Sequence, residues 1–391
     1  MSKHKGFNIA ISLAICLIVG ISCAVMSGCA SKVADYTNYV SSSYVSTNPV
    51  VFEDSLGEIA IKPSTEKDFK VLQLTDIHIG NGALSQKKDK KAIQAVCKVI
   101  EYSQPDLIIL SGDMVFPFIA ITGTNDNLSA LKTLAKVIDK YNTPWTVCFG
   151  NHDAEDFALY SKSEICDYLE SDQLKNCIFS RGDKSLDGMG NHLINVYNFD
   201  DSFNSTIFLF DNGSYAGETQ LSGYQELSKN QVEWYKNKIE SFNLNFGKTI
   251  NSFVYYHIPG MEYKNAWDAY KKGEAELVFG TAGEKNERIS CPSELGTFYE
   301  TMKSLGSTKA IFCGHDHLND FSVLYEGVRY TYSKSIDYTA YLFQGIAKKT
   351  EQRGGTELLL KGSNSSLETA FDIVSIKLTD IKWIDLNRII L

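Results

Sequence analysis

The sequence predicts an α/β sandwich in one catalytic domain. Short apolar runs rich in β-branched and aromatic residues, typical of buried strands, alternate with stretches whose apolar residues recur at helical spacing. A strand-rich tail follows the last of these stretches, and this order is typical of an α/β sandwich. The 391 residues are 43% hydrophobic, which excludes a disordered chain, and nine cysteines are too few for a small disulfide scaffold.

Six compact apolar runs predict the strands of the alternating part: Phe69–Thr75, Leu107–Ser111, Trp145–Phe149, Thr206–Phe210, Phe253–Tyr256 and Lys309–Cys313. Five helical patterns lie between them: Lys87–Tyr102, Ser129–Tyr141, Glu155–Glu170, Ser228–Phe242 and Ser293–Leu305. From Phe321 onward the pattern changes to strands and turns, which end with Phe371–Leu378. The segments Phe116–Asn127 and Gly260–Pro292 are predicted to be insertions without firm structure.

The first 29 residues are predicted to be a targeting segment outside the fold. A basic start and an apolar run lead to the sequence MSGC, which ends at Cys29. This ending resembles the bacterial lipoprotein signal, in which the cysteine is lipidated, although Met26 stands where leucine is commoner. A plain transmembrane anchor is the alternative, because residues 7–26 approach the roughly 20 residues that span a bilayer. Both predict attachment to the cell membrane, with the rest of the chain facing outside the cytoplasm.

The remaining chain divides into a tether with a leading strand, residues 30–67, and a catalytic domain, residues 68–391. With 38 Lys and Arg against 47 Asp and Glu, the formal net charge is −9. We expect no nucleic-acid binding from this charge, because neutralising phosphates needs clustered Lys and Arg. Cys166 and Cys177 could pair in an oxidising compartment, and the sequence alone does not decide it.

Residues able to bind metals come directly after the predicted strands. They are Asp76 and His78, Asp113, Asn151 and His152, His257, and His315 and His317. In open α/β sheets, functional groups collect at the carboxyl ends of strands. A single histidine in such a place is usually structural, and an aspartate after glycine is usually a turn residue. The coincidence of five such placements instead predicts a functional site.

The residue types indicate a metal centre. Imidazole suits Zn, Fe and Mn, and carboxylate and amide oxygens complete harder sites. Seven residues are candidate ligands: Asp76, His78, Asp113, Asn151, His257, His315 and His317. Seven ligands are too many for one tetrahedral site and suit two metals that share a carboxylate. Because the set holds no thiolate, a structural zinc site is disfavoured.

This series of motifs resembles the calcineurin-like metallophosphoesterase superfamily, and within it the purple-acid-phosphatase-like branch that lacks the large N-terminal domain. The resemblance extends from about Phe69 to Tyr341. It implies a four-layer αββα sandwich of two mixed β-sheets flanked by helices, with a dinuclear metal site at the carboxyl ends of the strands. It also implies ligand roles: Asp76, His78 and His317 for the first metal, Asn151, His257 and His315 for the second, and Asp113 as the bridge. His152 would face the substrate.

The sequence departs from true purple acid phosphatases at Phe116. In those proteins a tyrosine three residues after the bridging aspartate binds Fe(III) and gives the colour, and a phenyl ring cannot bind a metal. The two divalent ions could therefore be Mn, Zn or Fe. His192 matches no ligand of the family and is expected to be structural or at the edge of the pocket. Asp153 and Asp316 could support neighbouring histidines or be ordinary turn carboxylates.

The N-terminal segment predicts membrane anchoring, and the resemblance implies a phosphoesterase that hydrolyses phosphate esters by attack of a metal-bridging hydroxide. His152 would donate a proton to the leaving oxygen or hydrogen-bond the phosphoryl group. We expect a phosphomonoesterase acting on a phosphorylated small molecule or another phosphoester. A phosphodiesterase or a nucleotide hydrolase on the same centre is an alternative. A non-catalytic metal-binding surface protein is a further alternative from a different class.

Overall fold

The computed structural model describes residues 32–217, 223–282, 287–341 and 352–381. Its strands, in chain order, are β1 Val50–Glu53, β2 Ile59–Lys62, β3 Phe69–Leu74, β4 Leu107–Ser111, β5 Trp145–Cys148, β6 His192–Tyr197, β7 Phe203–Leu209, β8 Asn251–Tyr255, β9 Glu276–Phe279, β10 Thr308–Cys313, β11 Ser322–Tyr325, β12 Val328–Tyr332, β13 Gly354–Leu360 and β14 Phe371–Lys377. Its α-helices are α1 Gln86–Ser103, α2 Ile119–Thr122, α3 Asn127–Asp139, α4 Lys162–Leu169, α5 Lys229–Phe246, α6 Met261–Lys272 and α7 Thr297–Leu305.

Within the described residues, the strands form two mixed sheets. The five-stranded sheet has the order β14-β13-β3-β4-β5, and its strands β3, β4 and β5 run parallel. The nine-stranded sheet has the order β1-β2-β6-β7-β8-β10-β12-β11-β9, with β7, β8, β10 and β12 parallel at its centre. Each sheet therefore presents a block of parallel strands whose carboxyl ends can carry a site.

The two sheets pack face to face, and helices cover their outer faces. Successive residues of a strand point to opposite faces, so on β3 Val71 enters the core between the sheets while Leu72 enters the core beneath α1. Helices α1, α3 and α4 cover the five-stranded sheet, and α5, α6 and α7 cover the nine-stranded sheet. The predicted four-layer αββα sandwich is confirmed.

The structure corrects two of the element predictions. The predicted insertion Gly260–Pro292 is wrong over its first half, which forms α6 and β9. Helix α6 buries Tyr263 and Ala266 under the nine-stranded sheet, although polar residues between them weaken the apolar pattern. The helix predicted from Glu155 begins only at Lys162, because Ser161 caps it in a capping box with Glu164. The segment Phe116–Asn127 is largely irregular, apart from the single turn α2.

The lipidation site predicted at Cys29 lies outside the described residues. No helix in the described ranges is both long and apolar enough to cross a membrane. Residues 32–49, expected to be a tether, pack on the outer helices: the Ala34 amide donates to Thr133 Oγ1, and the Tyr44 ring packs edge-on against Tyr141 with centroids 4.7 Å apart. Cys166 and Cys177 are both free thiols.

Candidate metal centre

The predicted site residues meet at one edge of the sandwich. Asp76 and His78 follow β3, Asp113 follows β4, and Asn151 and His152 follow β5. These three strands are parallel neighbours, so their carboxyl ends lie side by side. The other sheet contributes the histidines that follow its parallel strands β8 and β10, namely His257, His315 and His317. The site therefore joins the two sheets.

The carboxylates and imidazoles form two buried clusters that share Asp113. The first cluster contains Asp76, His78, Asp113 and His317, and the second cluster contains Asp113, His257 and His315. Within each cluster, the candidate ligand atoms all lie within 4.8 Å of one another. Asp113 Oδ2 is 3.4 Å from His78 Nε2 and 3.1 Å from His257 Nε2, so one carboxylate faces both sides. This Asp and His set fits a dinuclear metal site.

Several of these atoms lack the partners that buried polar atoms normally have. In the described part of the chain, both ring nitrogens of His78, Nε2 of His257 and Oδ1 of Asn151 are buried without a hydrogen-bond partner. Burying such an atom unpaired carries a large desolvation cost. Two cations bound in the clusters would satisfy Nε2 of His78, Nε2 of His257 and Oδ1 of Asn151, while Nδ1 of His78 faces Asp337. The Asn151 side chain is anchored on its other side, where Nδ2 donates to the Tyr215 hydroxyl at 3.3 Å.

Four site residues adopt a left-handed backbone conformation. The φ angles are 51° for Asp76, 56° for His78, 50° for Asp113 and 78° for His315. Such angles are uncommon for residues other than glycine, and they cluster at functional sites where the surrounding fold holds them. They turn the chain sharply at the strand ends, so that side chains two residues apart can face one centre.

Two glycines allow the strand ends to approach each other. Gly112 has φ 90°, and a Cβ there would lie 2.5 Å from the His257 ring. A Cβ on Gly314 would lie 2.1 Å from Thr75 Oγ1 and 2.6 Å from Asp76 Oδ2. Any larger residue would push the two sheets apart at the site. The glycines of these motifs are therefore required by close packing.

The electrostatics keep Asp113, Asp76 and His315 in the protonation state that metals need, whereas Asp113 outweighs the effect of burial and raises the pKa of His257 to about 9, so that a metal bound there would displace a proton. Burial alone would raise the pKa of Asp113, but His257 and His152 bring it well below its usual value. Burial likewise opposes ionisation of Asp76, and the charge of His317 lowers its pKa. Burial and the neighbouring His257 lower the pKa of His315 to about 3. Both carboxylates are thus ionised and His315 is neutral at pH 7.

Asp337 supports the first cluster and was missed from the sequence. His317 Nδ1 donates to Asp337 Oδ2 at 3.2 Å, and His78 Nδ1 lies 3.9 Å from Oδ1 of the same carboxylate. The carboxylate also accepts backbone N–H groups, including those of Thr339 and Ala340. Its bond to Nδ1 orients His317 so that Nε2 points into the cluster, and its charge lies beside the His78 ring. Nothing in the sequence around position 337 gives a motif that would identify it.

The two carboxylates with undecided roles both hold loops. Asp153 accepts backbone N–H groups from the loops after β4 and β5, those of Gly150, Asp113, Met114 and Val115. Burial and the nearby Asp113 raise the pKa of Asp153 to about 6. Asp316 accepts the Ser290 amide at 2.8 Å and the Tyr332 hydroxyl at 2.7 Å. Both carboxylates thus fix backbone around the site.

His152 lies beside the clusters and points toward a small cavity. Its Nε2 is 4.0 Å from Asp113 Oδ2, and its side chain is 26% exposed. Its Nδ1 donates to Glu155 Oε1 at 2.6 Å, a partner that sequence reasoning did not single out. The ring of Phe116 packs 5.1 Å from His152, centroid to centroid. The cavity of about 100 Å³ is bounded by both clusters, Tyr224 and Tyr341.

His192 has a structural role. It lies on β6, is 4% exposed, and its ring nitrogens hydrogen-bond with Thr146 Oγ1 and the Gly190 carbonyl, both at 2.8 Å. Burial lowers its pKa to about 4, so the ring is neutral.

Comparison with known proteins finds similarity over the part of the chain that contains these site residues. The family model described as Calcineurin-like phosphoesterase matches residues 69–319, which include Asp76 through His317. The "Probable inactive purple acid phosphatase 28" of Arabidopsis thaliana is 27% identical over 298 residues, 70% of this chain and 71% of that protein. The "Phosphatase DCR2" of Saccharomyces cerevisiae is 27% identical over 297 residues, 72% of this chain and 49% of that protein. A solved dimetal phosphatase from Danio rerio aligns with 11% identity and a TM-score of 0.45, covering 75% of this chain and 92% of that one.

Proposed function

The chain belongs to the calcineurin-like phosphoesterase family, and on that premise we propose that it is a phosphomonoesterase anchored to the outside of a cell membrane. The observation that carries the catalytic part is the pair of buried clusters that share Asp113, with His152 beside them. Family and clusters together support a metal-dependent phosphoric ester hydrolase.

We assign the ligands as follows. Asp76, His78 and His317 hold the first metal, Asn151, His257 and His315 hold the second, and Asp113 is shared. When bound, the two divalent ions activate water and offset the negative charge of the phosphoryl group. Phe116 offers no donor atom at the position of the purple-acid-phosphatase tyrosine, which supports Mn, Zn or Fe(II) rather than a fixed Fe(III).

His152 is assigned as the group that protonates the leaving oxygen. Its Nδ1 is held by Glu155 at 2.6 Å, which leaves Nε2 facing the cavity. A positioned imidazole of this kind typically contributes about 10²–10⁴-fold to the rate. A protein that bound metals without catalysis would have no need of this pair. Some relatives carry the word inactive in their names, and this chain has all seven candidate ligands.

The shape of the cavity supports a monoester substrate. The described residues beside His152 form a cavity of about 100 Å³, which suits a phosphoryl group with one substituent directed out of the cavity. A phosphodiester carries two ester substituents on phosphorus, and both would have to extend out of this small cavity. A monoester has only one such substituent.

The test is hydrolysis by the full chain loaded with Mn, Zn or Fe(II), assayed on monoesters, diesters and nucleotides. We expect turnover of monoesters. In His152→Ala, an alkyl ester should lose about 10²–10⁴-fold in turnover and a nitrophenyl ester less, because nitrophenolate leaves without a proton. Metal content should remain unchanged. An unaltered rate on the alkyl ester would remove His152 from the mechanism, and equal losses on both esters would assign it to phosphoryl binding.

Membrane attachment is proposed from the N-terminal sequence, with the lipid on Cys29. Comparing membrane fractions and lipid labelling of the parent and Cys29→Ser tests it. We expect the variant to lose the label and to stay unprocessed. Equal labelling and processing in both would contradict the lipoprotein assignment and favour the uncleaved anchor.

A further inference from the structure

Three phenylalanine rings lead from the metal centre to the protein surface. Phe116 lies 5.3 Å from His78 and 5.1 Å from His152, measured between ring centroids. Phe118 packs 6.1 Å from Phe116, and Phe157 packs 5.6 Å from Phe118. Phe118 is 40% exposed and Phe157 is 45% exposed. We call these three residues the phenylalanine ladder.

The ladder is built on two loops that are bonded to each other. Asn125 Nδ2 donates to the Phe157 carbonyl at 3.0 Å, and the Leu159 amide donates back to the Asn125 carbonyl at 3.0 Å. The buried side chain of Asn127 donates from Nδ2 to the Asp153 carbonyl at 2.9 Å. These bonds tie the loop after β4 to the loop after β5. The exposed rings are therefore held in place beside the site.

The described wall of the cavity beside His152 includes the carboxylates of Asp113 and Asp316. Among the described residues that line the cavity beside His152, none is Lys or Arg. Lys162 lines a neighbouring cavity, where it is paired with the buried Asp211 at 2.8 Å. The ladder offers apolar surface instead.

We propose that the phenylalanine ladder binds an aromatic leaving group, so that the substrate is an aryl phosphate monoester. This rests on the proposed function, because His152 marks the side on which the leaving oxygen departs. In the hydrolysis, water forms the new bond to phosphorus, the bond from phosphorus to the aryl oxygen breaks, and that oxygen takes a proton. The products are a phenol and inorganic phosphate.

The energetics of aromatic contacts favour an aromatic group over an alkyl chain at exposed phenylalanine rings. Neighbouring rings of the ladder are inclined at 67° and 55°, the edge-to-face and tilted arrangements that aromatic rings prefer. A substrate ring beside Phe118 would continue the series. Such ring contacts correspond to a preference of up to about tenfold beyond simple apolar burial.

The first experiment compares kcat/KM for phenyl phosphate and for a fluorinated alkyl phosphate whose alcohol is similarly acidic. Phe118→Leu and Phe157→Leu keep an apolar side chain and remove the ring. We expect the aryl preference of the parent to fall by about three- to tenfold in Phe118→Leu and less in Phe157→Leu. The control Phe199→Leu changes another exposed phenylalanine, 47% exposed and outside the ladder, and should retain the preference.

The second experiment measures binding without turnover. Calorimetric titration of the metal-loaded chain should give a lower Kd for phenylphosphonate than for methylphosphonate, and Phe118→Leu should reduce the difference. Equal affinities, no binding of either phosphonate, or an equal preference for long-chain alkyl phosphates would overturn the aromatic assignment. If the parent hydrolyses no ester yet binds phenylphosphonate preferentially, the proposed function fails and the ladder stands.

Discussion

The two metal-binding clusters differ in the number of negatively charged carboxylates that they contain. The first cluster has the carboxylates of Asp76 and Asp113 and is supported from behind by Asp337. The second cluster has only the shared Asp113, and its His257 ring is oriented by a neutral group, the Ser111 carbonyl, at 2.9 Å. More negative charge at equal geometry means tighter binding of a cation. We therefore expect the first metal to be held more tightly and the second to be lost first.

The largest effect is expected from Asp113→Asn, since this change removes the charge that both clusters share. Metal affinity should fall at both positions by more than about 100-fold, above the range typical of supporting residues. Metal analysis after dialysis against a weak chelator measures this.

Asp172→Asn, an equivalent change at an exposed residue, is the control and should retain both metals. If Asp113→Asn loses only one metal, the carboxylate does not bridge.

Asp337→Asn should separate the two clusters. It removes the charge behind His317 and His78, so the affinity of the first position should fall by about 10–100-fold, while the second changes little. Titration of the metal-free protein with Mn, monitored by electron paramagnetic resonance of the bound ion, resolves the two positions. Asp106→Asn is the matched control, because that buried carboxylate accepts from Lys67 and from the Lys70 amide and lies outside both clusters. Equal weakening of both positions would contradict the distinction.

Tyr224→Ala should have a smaller effect, confined to the second cluster. The Tyr224 ring packs edge-on against His315, with centroids 4.5 Å apart. Losing this ring contact should weaken the second metal by about 2–10-fold. Tyr224→Phe keeps the ring and should bind metal like the parent in the same titration. A loss at the first position instead would show that the ring acts by another route.

The smallest expected effect is the absence of colour. Phe116 contacts His78 of the first cluster, but its side chain has no oxygen atom that could coordinate a metal. The parent protein loaded with iron should show no intense visible charge-transfer band. Phe116→Tyr provides the comparison, since the resemblance to purple acid phosphatases implies a band when a tyrosine stands there. A purple parent sample would refute the assignment of this position.

The features that could be predicted are those that a local sequence pattern determines. Strand patterns followed by Asp and His identified the α/β sandwich and the edge where Asp76, Asp113 and His315 meet, and the family resemblance implied the four αββα layers. Asp337 was not predictable, because its importance arises from contacts with His317 and His78, which lie 20 and 259 residues before it in the sequence. Glu155 lies only three residues after His152, but a carboxylate in a polar loop gives no sequence signal of a functional role. Helix α6 was missed since its buried face is interrupted by polar residues.

The joining of two sheets by one site has a consequence for biosynthesis. Asp76 and His317 belong to the same cluster but lie about 240 residues apart, and a ribosome adds only about 5–20 residues per second. The early half of the cluster must therefore exist for many seconds without the late half. Stable loading of the first position has to wait until nearly the whole chain is made. A truncated or stalled chain would remain poor in metal, so metal content is a measure of how completely the chain has been synthesised and folded.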